Sequence, residues 1–496
     1  MSNGGAPASA DVFEQTPLRT LLIFIGLALM AGSGIGVFIV KLNNPVYVLF
    51  GLAGLFIFIG AIAWVEFGLY FLVFITYTRF SDVIVEYHSG PSVAKSFVVL
   101  MIIAILIRWA IFNERPKGWQ TAALLIGAYG LVGFASLLYA QDPSRVLDAL
   151  NNYVKDAIIA IVVVILLQSG ISFRRVIWTL LAAGVFMGVI SVYQYFTKTF
   201  LNVYGGFAQA SLEQIVGTTN DYRIGGPIGD PNFFAQAMLV IVPIALERML
   251  HENNRWLKVL AGLALGVSAL AVILTFSRGG FLAMAVTLIV MLVVYPPHYR
   301  SMPYFLISVI VVLFLIPPTY YSRILSLQEV ISATSTDFHS TDLAIQGRAS
   351  ENLTALAMFK SHPFLGVGLY NYSVLYQEYA KNIGLAPSAT DRSAHNLYLE
   401  ILAETGVLGL SVFLLMVGIS ARTIQSAHAV LLKVGLRDYA SMTVSFGIGF
   451  LGYMVAAIFV HAAYPRYFYL LIGIAFSLKK IADNEIAKHP LKQIET

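Results

Sequence analysis

LKVLAGLALGVSALAVILTFSRGGFLAMAVTLIVMLVVY, residues 257–295, is the stretch that decides the fold. It holds two apolar runs, 257–276 and 280–295, joined through little more than Thr275-Phe-Ser-Arg-Gly-Gly280. A membrane span takes about 20 predominantly apolar residues. The stretch therefore reads as two helices that cross a bilayer in opposite directions. Arg278 is held between them at the membrane surface. A charge at that depth is expensive, so its first reading is functional; the plainer reading is an interfacial arginine that snorkels to water. Gly279 and Gly280 favour the first, because paired glycines admit the close approach of a ligand or another backbone.

Working outward, similar runs lie at 21–40, 45–63, 65–80, 93–112, 121–140, 154–168, 176–196, 233–250, 303–318, 396–420, 440–460 and 464–478. The sequence predicts an all-α polytopic integral membrane protein with about 12–14 transmembrane helices. Composition agrees: of 496 residues, 58% are hydrophobic and only 11% charged, and the mean hydropathy is +0.78. A water-soluble enzyme, a disordered scaffold and a nucleic-acid-binding domain are excluded. With no cysteine, disulfides, thiolate nucleophiles and Cys-ligated metals are excluded too. The run at 21–40 has no basic segment before it and reads as a retained helix, not a cleaved signal.

With the N-terminus inside, alternation puts both termini in the cytoplasm. Lys and Arg then lean modestly to that side, as the positive-inside rule asks. The basic residues left outside hint at an anion site on the outer face. Two outer loops are long, 197–230 and 319–394, and loops of that size usually carry function or structure of their own. The division expected is N-terminal helices over 1–150, a core over 151–480 that includes both loops, and a cytoplasmic tail over 481–496.

Three outer segments concentrate polar residues. In Asp221-Tyr-Arg-Ile-Gly-Gly-Pro-Ile-Gly-Asp-Pro-Asn232, Asp230 before Pro231 reads as an N-cap with proline opening the next helix. Arg223 and that helix N-terminus could share one anion, or the segment is only a capped turn with a solvated arginine. Ser277-Arg278 is the second segment. The third is the long loop. Gly347-Arg348 opens a stretch with Leu353, Leu356 and Ala357 at helical spacing, which suggests an amphipathic helix on the membrane surface. His362-Pro-Phe-Leu-Gly-Val-Gly-Leu-Tyr-Asn371 then reads as a helix stop and glycine turn, and the loop closes on Asp391-Arg-Ser-Ala-His-Asn396.

His395 is the sharpest candidate. A helix N-terminus disfavours imidazolium, so His395 is expected neutral and able to accept a proton; the plain alternative is an interfacial histidine. Beside Arg223, Arg278 and Arg348 it suggests a base next to an arginine clamp. Glu404, below it in an apolar helix, reads either as partner to an arginine or as a hydrogen-bonded packing residue. Lys155 and Asp156 raise the same question. His461, Tyr464 and Arg466 read as interfacial anchors. No Walker phosphate loop, His-Glu-x-x-His or Asp-x-Asp metal motif is present.

These segments resemble the O-antigen ligase and polymerase superfamily. The resemblance rests on Asp230-Pro-Asn-Phe-Phe-Ala235, Ser277-Arg278-Gly279, Gly347-Arg348 with His362-Pro363 and Gly366-Val-Gly368, and His395-Asn396 ahead of Gly406-Val-Leu-Gly409. It runs from about residue 150 to 470. It implies a GT-C-type glycosyltransferase of the bacterial inner membrane with its active site facing the periplasm. The donor would be a glycan on undecaprenyl diphosphate and the acceptor a sugar hydroxyl of lipid A–core oligosaccharide. Transfer would invert the anomeric centre and need neither metal nor cofactor. His395 matches the family's base, Arg348 an arginine near the reacting centre, and Arg223 and Arg278 arginines that bind the diphosphate. Lys155 is a further donor-binding candidate; Asp230, Asn232, Ser277, Asn396 and Glu404 are supporting residues. Within the superfamily an O-antigen polymerase and a protein O-oligosaccharyltransferase share the donor and differ in acceptor. A transporter or flippase for a lipid-linked sugar is the rival from another class, and would place its charges midway through the bilayer.

Overall fold

The computed structural model describes residues 60–61, 64–216, 219–296, 343–385, 392–461 and 465–488. The expected spans at 21–40 and 303–318, nearly all of 45–63, and Tyr464 lie outside the described residues. Within them the protein is an all-α polytopic membrane protein. Eight helices are long and apolar enough to cross a bilayer, or nine with one bent pair.

That pair is α1 (Val65–Tyr77) and α2 (Phe80–His88), bent by 55°. Arg79 at the bend takes a left-handed conformation, φ 53°. Then come α3 (Val93–Phe112), α4 (Gln120–Ala135), α5 (Pro143–Leu166) and α6 (Gly170–Phe196). The expected short span at 154–168 is in fact the end of α5, which starts at Pro143. Asp142 caps it, accepting from the Ser144 and Arg145 amides at 3.0 and 3.3 Å, with proline in the first turn where a missing N–H costs nothing.

The loop 197–230 holds a feature the sequence reading missed. Strands β1 (Gln209–Val216) and β2 (Thr219–Gly226) pair antiparallel, with Ser211 opposite Arg223 and Glu213 opposite Asp221. β2 feeds α7 (Pro231–His251), the most enclosed helix of the bundle. From Phe233 to Ala245 α7 is buried on every side, and an all-round apolar helix belongs at the centre. α8 (Arg255–Leu274), the 17-residue α9 (Arg278–Val294) and α13 (Arg437–Ala456) pack around it.

In the second loop, α10 (Leu343–Ser361) and α11 (Tyr372–Asn382) are helical. The face of α10 that packs against α11 and α12 carries Glu351, Thr354, Ala355 and Met358, while Leu353 and Leu356 are exposed. The apolar stripe is thus not the packed one. Two of these polar residues pack with a partner: Glu351 accepts through Oε1 from Arg392 at 2.9 Å, and Thr354 donates to the Ser350 carbonyl at 2.8 Å. α12 (Leu397–Lys433) is broken at Gly406, φ 63° and ψ −165°. α14 (Pro465–Lys488) runs well into the expected tail. Its stripe continues through buried Leu478, Ile481, Ala482 and Glu485, and Glu485 accepts from the Gly170 amide at 3.0 Å.

The far end of the bundle is closed by an ionic network. Arg248 pairs with Glu247 at 2.6 Å and Asp438 at 2.9 Å, and Arg174 with Glu252 at 2.7 Å. Arg248, Glu247 and Glu252 are buried, so losing one partner would strand a charge. The residues singled out in the sequence sit at the other end.

Candidate active site

Arg223 projects from β2 and is 4% exposed. Its Nε donates to the Thr275 carbonyl at 2.8 Å, one Nη donates to Asn232 Oδ1 at 3.0 Å, and the other pairs with Glu213. One guanidinium therefore ties the hairpin to the link between α8 and α9 and to the start of α7. Asp230 caps α7, accepting from the Asn232 and Phe233 amides at 2.7 and 3.2 Å. Ser277 caps α9, accepting from Gly280 at 3.2 Å, and Arg278 is the first residue of that helix. Two capped helix N-termini and two arginines thus converge, as an anion site requires.

Arg348 comes from α10. Burial holds its guanidinium below the ordinary arginine range, and the positive charges of Arg223 and Arg278 push the same way. Glu351 and Asp230 oppose them. Arg348 is therefore close enough to feel both Arg223 and Arg278. Arg392, which the sequence reading did not single out, joins this group through its ion pair with Glu351 at 2.9 Å. Burial raises the Glu351 carboxyl, and Arg392 followed by Arg348 pulls it back.

His395 lies just ahead of α12 with φ 44°. A non-glycine residue in that conformation is strained and persists only where its surroundings fix it. Asn396 supplies part of that frame by capping α12, accepting from Tyr398 and Leu399 at 3.1 and 3.2 Å. The His395 ring meets the edge of His461, with centroids 5.1 Å apart and planes at 81°. His461 in turn meets Phe233 at 5.0 Å. Burial drives the His395 pKa down to about 3, with His461, Arg348 and Arg392 adding to it. The dominant cause is thus burial, not the helix end named from sequence. Burial takes His461 to about 4. Both imidazoles are neutral at pH 7. The Nδ1 atom of His461 is buried and has no hydrogen-bond partner among the described residues.

The turn 362–371 fixes these parts in register. It docks by its backbone into the break of α12. Val367 and Gly368 donate to the Ala403 and Glu404 carbonyls at 2.9 Å each, and Val407 and Leu408 donate to Pro363 and Phe364 at 2.8 and 3.3 Å. The amides and carbonyls released at Gly406 are thereby satisfied, as they must be where helix backbone is interrupted. Glu404 accepts from the Tyr372 amide at 3.1 Å. Of its two readings, the hydrogen-bonded packing residue describes this contact. Asn371 clasps the backbone of Asp142, accepting at 2.8 Å and donating at 3.2 Å, which bolts the turn to the start of α5.

Arg223, Arg278, Arg348, Asp230, Asn232, Ser277, His395 and Asn396 are thus gathered at one end, with Glu404 one layer below. Lys155 is not part of this cluster: its Nζ donates to Asn152 of its own helix at 3.1 Å. Asp156 instead pairs with Arg466 at 3.0 Å, and Arg466 also holds Asp82 at 3.1 Å. Among the described residues no three His, Asp or Glu side chains converge as metal ligands would.

Residues 263–414 match the family model described as O-antigen ligase. The matched segment contains Arg278, Arg348, His395 and Gly406 and leaves out Arg223, Asp230 and His461. No curated protein matches the chain.

Proposed function

We propose that this multi-pass membrane protein, a member of the O-antigen ligase-like superfamily by its 263–414 segment, is a GT-C-type glycosyltransferase. It transfers a glycan from undecaprenyl diphosphate to a sugar hydroxyl of lipid A–core oligosaccharide. The reaction takes place at the periplasmic face of a bacterial inner membrane, without a metal and with inversion at the anomeric carbon. The observation that carries this reading is a neutral histidine, His395, held in a strained conformation beside Arg348 and Arg392, with Arg348 itself in the field of Arg223 and Arg278.

In the transfer, the acceptor O–H gives its proton to His395 while its oxygen bonds to the anomeric carbon. The bond from that carbon to the diphosphate breaks, and undecaprenyl diphosphate leaves with the electron pair. Negative charge grows on the leaving oxygen, where preorganised guanidinium groups and helix N-termini are worth most. Arg278 and Arg348 bind the diphosphate. Arg223, held by three protein acceptors, contributes its charge and keeps the others in place.

On its own, a pKa of about 3 makes His395 a poor base. The donor changes that. At about 8 Å and an effective dielectric of about 20, one negative charge raises an imidazole by roughly 2 kcal/mol, about 1.5 pH units. A bound diphosphate thus raises the His395 pKa back toward its ordinary value, and the base becomes competent once the donor is seated.

An O-antigen polymerase or a protein oligosaccharyltransferase would use the same donor site, and product identity separates them. Purified protein is given undecaprenyl-diphosphate glycan and lipid A–core with EDTA present. A glycan–lipid A–core conjugate is expected. A lengthened donor would make the protein a polymerase, and an intact donor would end the transferase reading.

A further inference from the structure

His461 belongs to two places at once. Its ring touches His395, and it lines a cleft between α4, α5, α7, α12, α13 and α14. Eight of the eighteen residues in the cleft wall are tyrosine or phenylalanine, Tyr153, Tyr370 and Phe468 among them. Set into this wall are Asn152, Gln236 and Glu400. Glu400 lies one turn from Glu404 on α12, in the segment between His395 and the helix break. We infer that this cleft seats the acceptor sugar ring, with Glu400 and His461 bonding hydroxyls that flank the reactive one.

The chemistry of the lining supports a sugar. Aromatic faces cover the apolar C–H faces of a pyranose, and carboxylates and amides accept from its hydroxyls. The Gln236 amide nitrogen is engaged, donating to the Tyr453 carbonyl at 3.0 Å, which orients its oxygen as an acceptor. The buried Nδ1 of His461 has no hydrogen-bond partner among the described residues, and a buried polar atom left so is destabilising. A ligand hydroxyl removes that cost. A hydrocarbon tail would leave the His461 nitrogen without a bond, and an anion would meet a carboxylate. Position agrees with chemistry: a ring in contact with His461 lies one imidazole away from the proposed base. The inference rests on the transferase reading, and makes the cleft the acceptor side of a site whose donor side is the arginine cluster.

The test measures binding without turnover. Purified full-length protein in nanodiscs, free of donor, is titrated with soluble deacylated lipid A–core oligosaccharide. A parallel titration uses the glycan released from the donor. One of the two should bind the wild type. Glu400→Gln should weaken that glycan about 10-fold or more, since a hydrogen bond to a charged group carries about 1.5–3 kcal/mol. His461→Asn serves as a second variant. Thermal unfolding checks that each variant folds, and the affinity for undecaprenyl diphosphate should not move. Binding of neither glycan, or unchanged glycan affinity in both folded variants, overturns the inference. A loss of undecaprenyl-diphosphate affinity instead would assign the cleft to the lipid carrier and overturn it as well. Transfer by the wild type is scored separately. Glycan binding without transfer would remove the enzyme reading and leave a glycan site; transfer without the Glu400 effect would do the reverse.

Discussion

Gly366→Ala places a methyl group where the outer turn enters the broken helix α12. An ideal Cβ at Gly366 lies 2.3 Å from the Glu404 carbonyl carbon, and 2.4 and 2.5 Å from the Glu404 and Ala403 oxygens. Those neighbours are backbone, which cannot swing aside as a side chain would. The φ of +69° adds strain for any L side chain. The turn must therefore lift. Four backbone hydrogen bonds cross this joint, from 2.8 to 3.3 Å, and at about 0.5–1.5 kcal/mol each their loss costs about 2–6 kcal/mol. The control is Gly418→Ala on the same helix, where a Cβ meets nothing within 4 Å and helix propensity gains up to about 1 kcal/mol. Thermal unfolding in nanodiscs and transfer activity are measured for both. Gly366→Ala should unfold at a clearly lower temperature and transfer little, while Gly418→Ala should be at least as stable as wild type. Wild-type melting and activity in Gly366→Ala would refute the docking.

Arg278→Lys should lower transfer sharply and weaken donor binding, since an ammonium does not reproduce a planar fork; near-normal kinetics would reduce Arg278 to an anchor. Glu404→Ala strands the Tyr372 amide and should destabilise by about 1–3 kcal/mol. Glu404→Gln keeps an acceptor and should melt close to wild type; equal losses in thermal unfolding would place the carboxylate charge, not the hydrogen bond, at the centre of its role. Both imidazoles have folded pKa values of about 3 and 4, below the unfolded value of 6.5. Their contribution to stability is complete above about pH 6.5 and is lost as pH falls toward the folded values. The melting difference between wild type and a His395→Gln, His461→Gln double variant should therefore shrink as pH falls from 7 to 4; a constant difference would contradict it.

The gross architecture was legible because lipid leaves so few choices: long apolar runs must be helices. Boundaries were legible only where their signals were taken up. Asp230-Pro231 was read as a cap and is one, whereas Asp142-Pro143 carries the same signal eighty-eight residues earlier and was passed over. The apolar run at 154–168 therefore begins eleven residues inside α5. The hairpin at 209–226 was missed because its alternation is weak and its turn signal is the single Gly217 between two short polar strands. His461 has no local mark that sets it against His395 sixty-six residues away. Only the return of α13 brings the two rings together. Arg392 was similarly invisible, since its importance comes from a carboxylate on α10. Glycine at 366 and 406 was readable as permissive backbone, but not as the two halves of one joint.

In the proposed mechanism His395 acts on the acceptor while the arginines hold the donor. The direct measurement compares wild type and His395→Ala for undecaprenyl-diphosphate glycan affinity and, separately, for a single turnover with lipid A–core. Donor affinity is expected near wild type, with a rate lower by about 10²–10⁴-fold, the usual worth of general-base help. Wild-type turnover in the variant, or loss of donor binding in place of turnover, would contradict it.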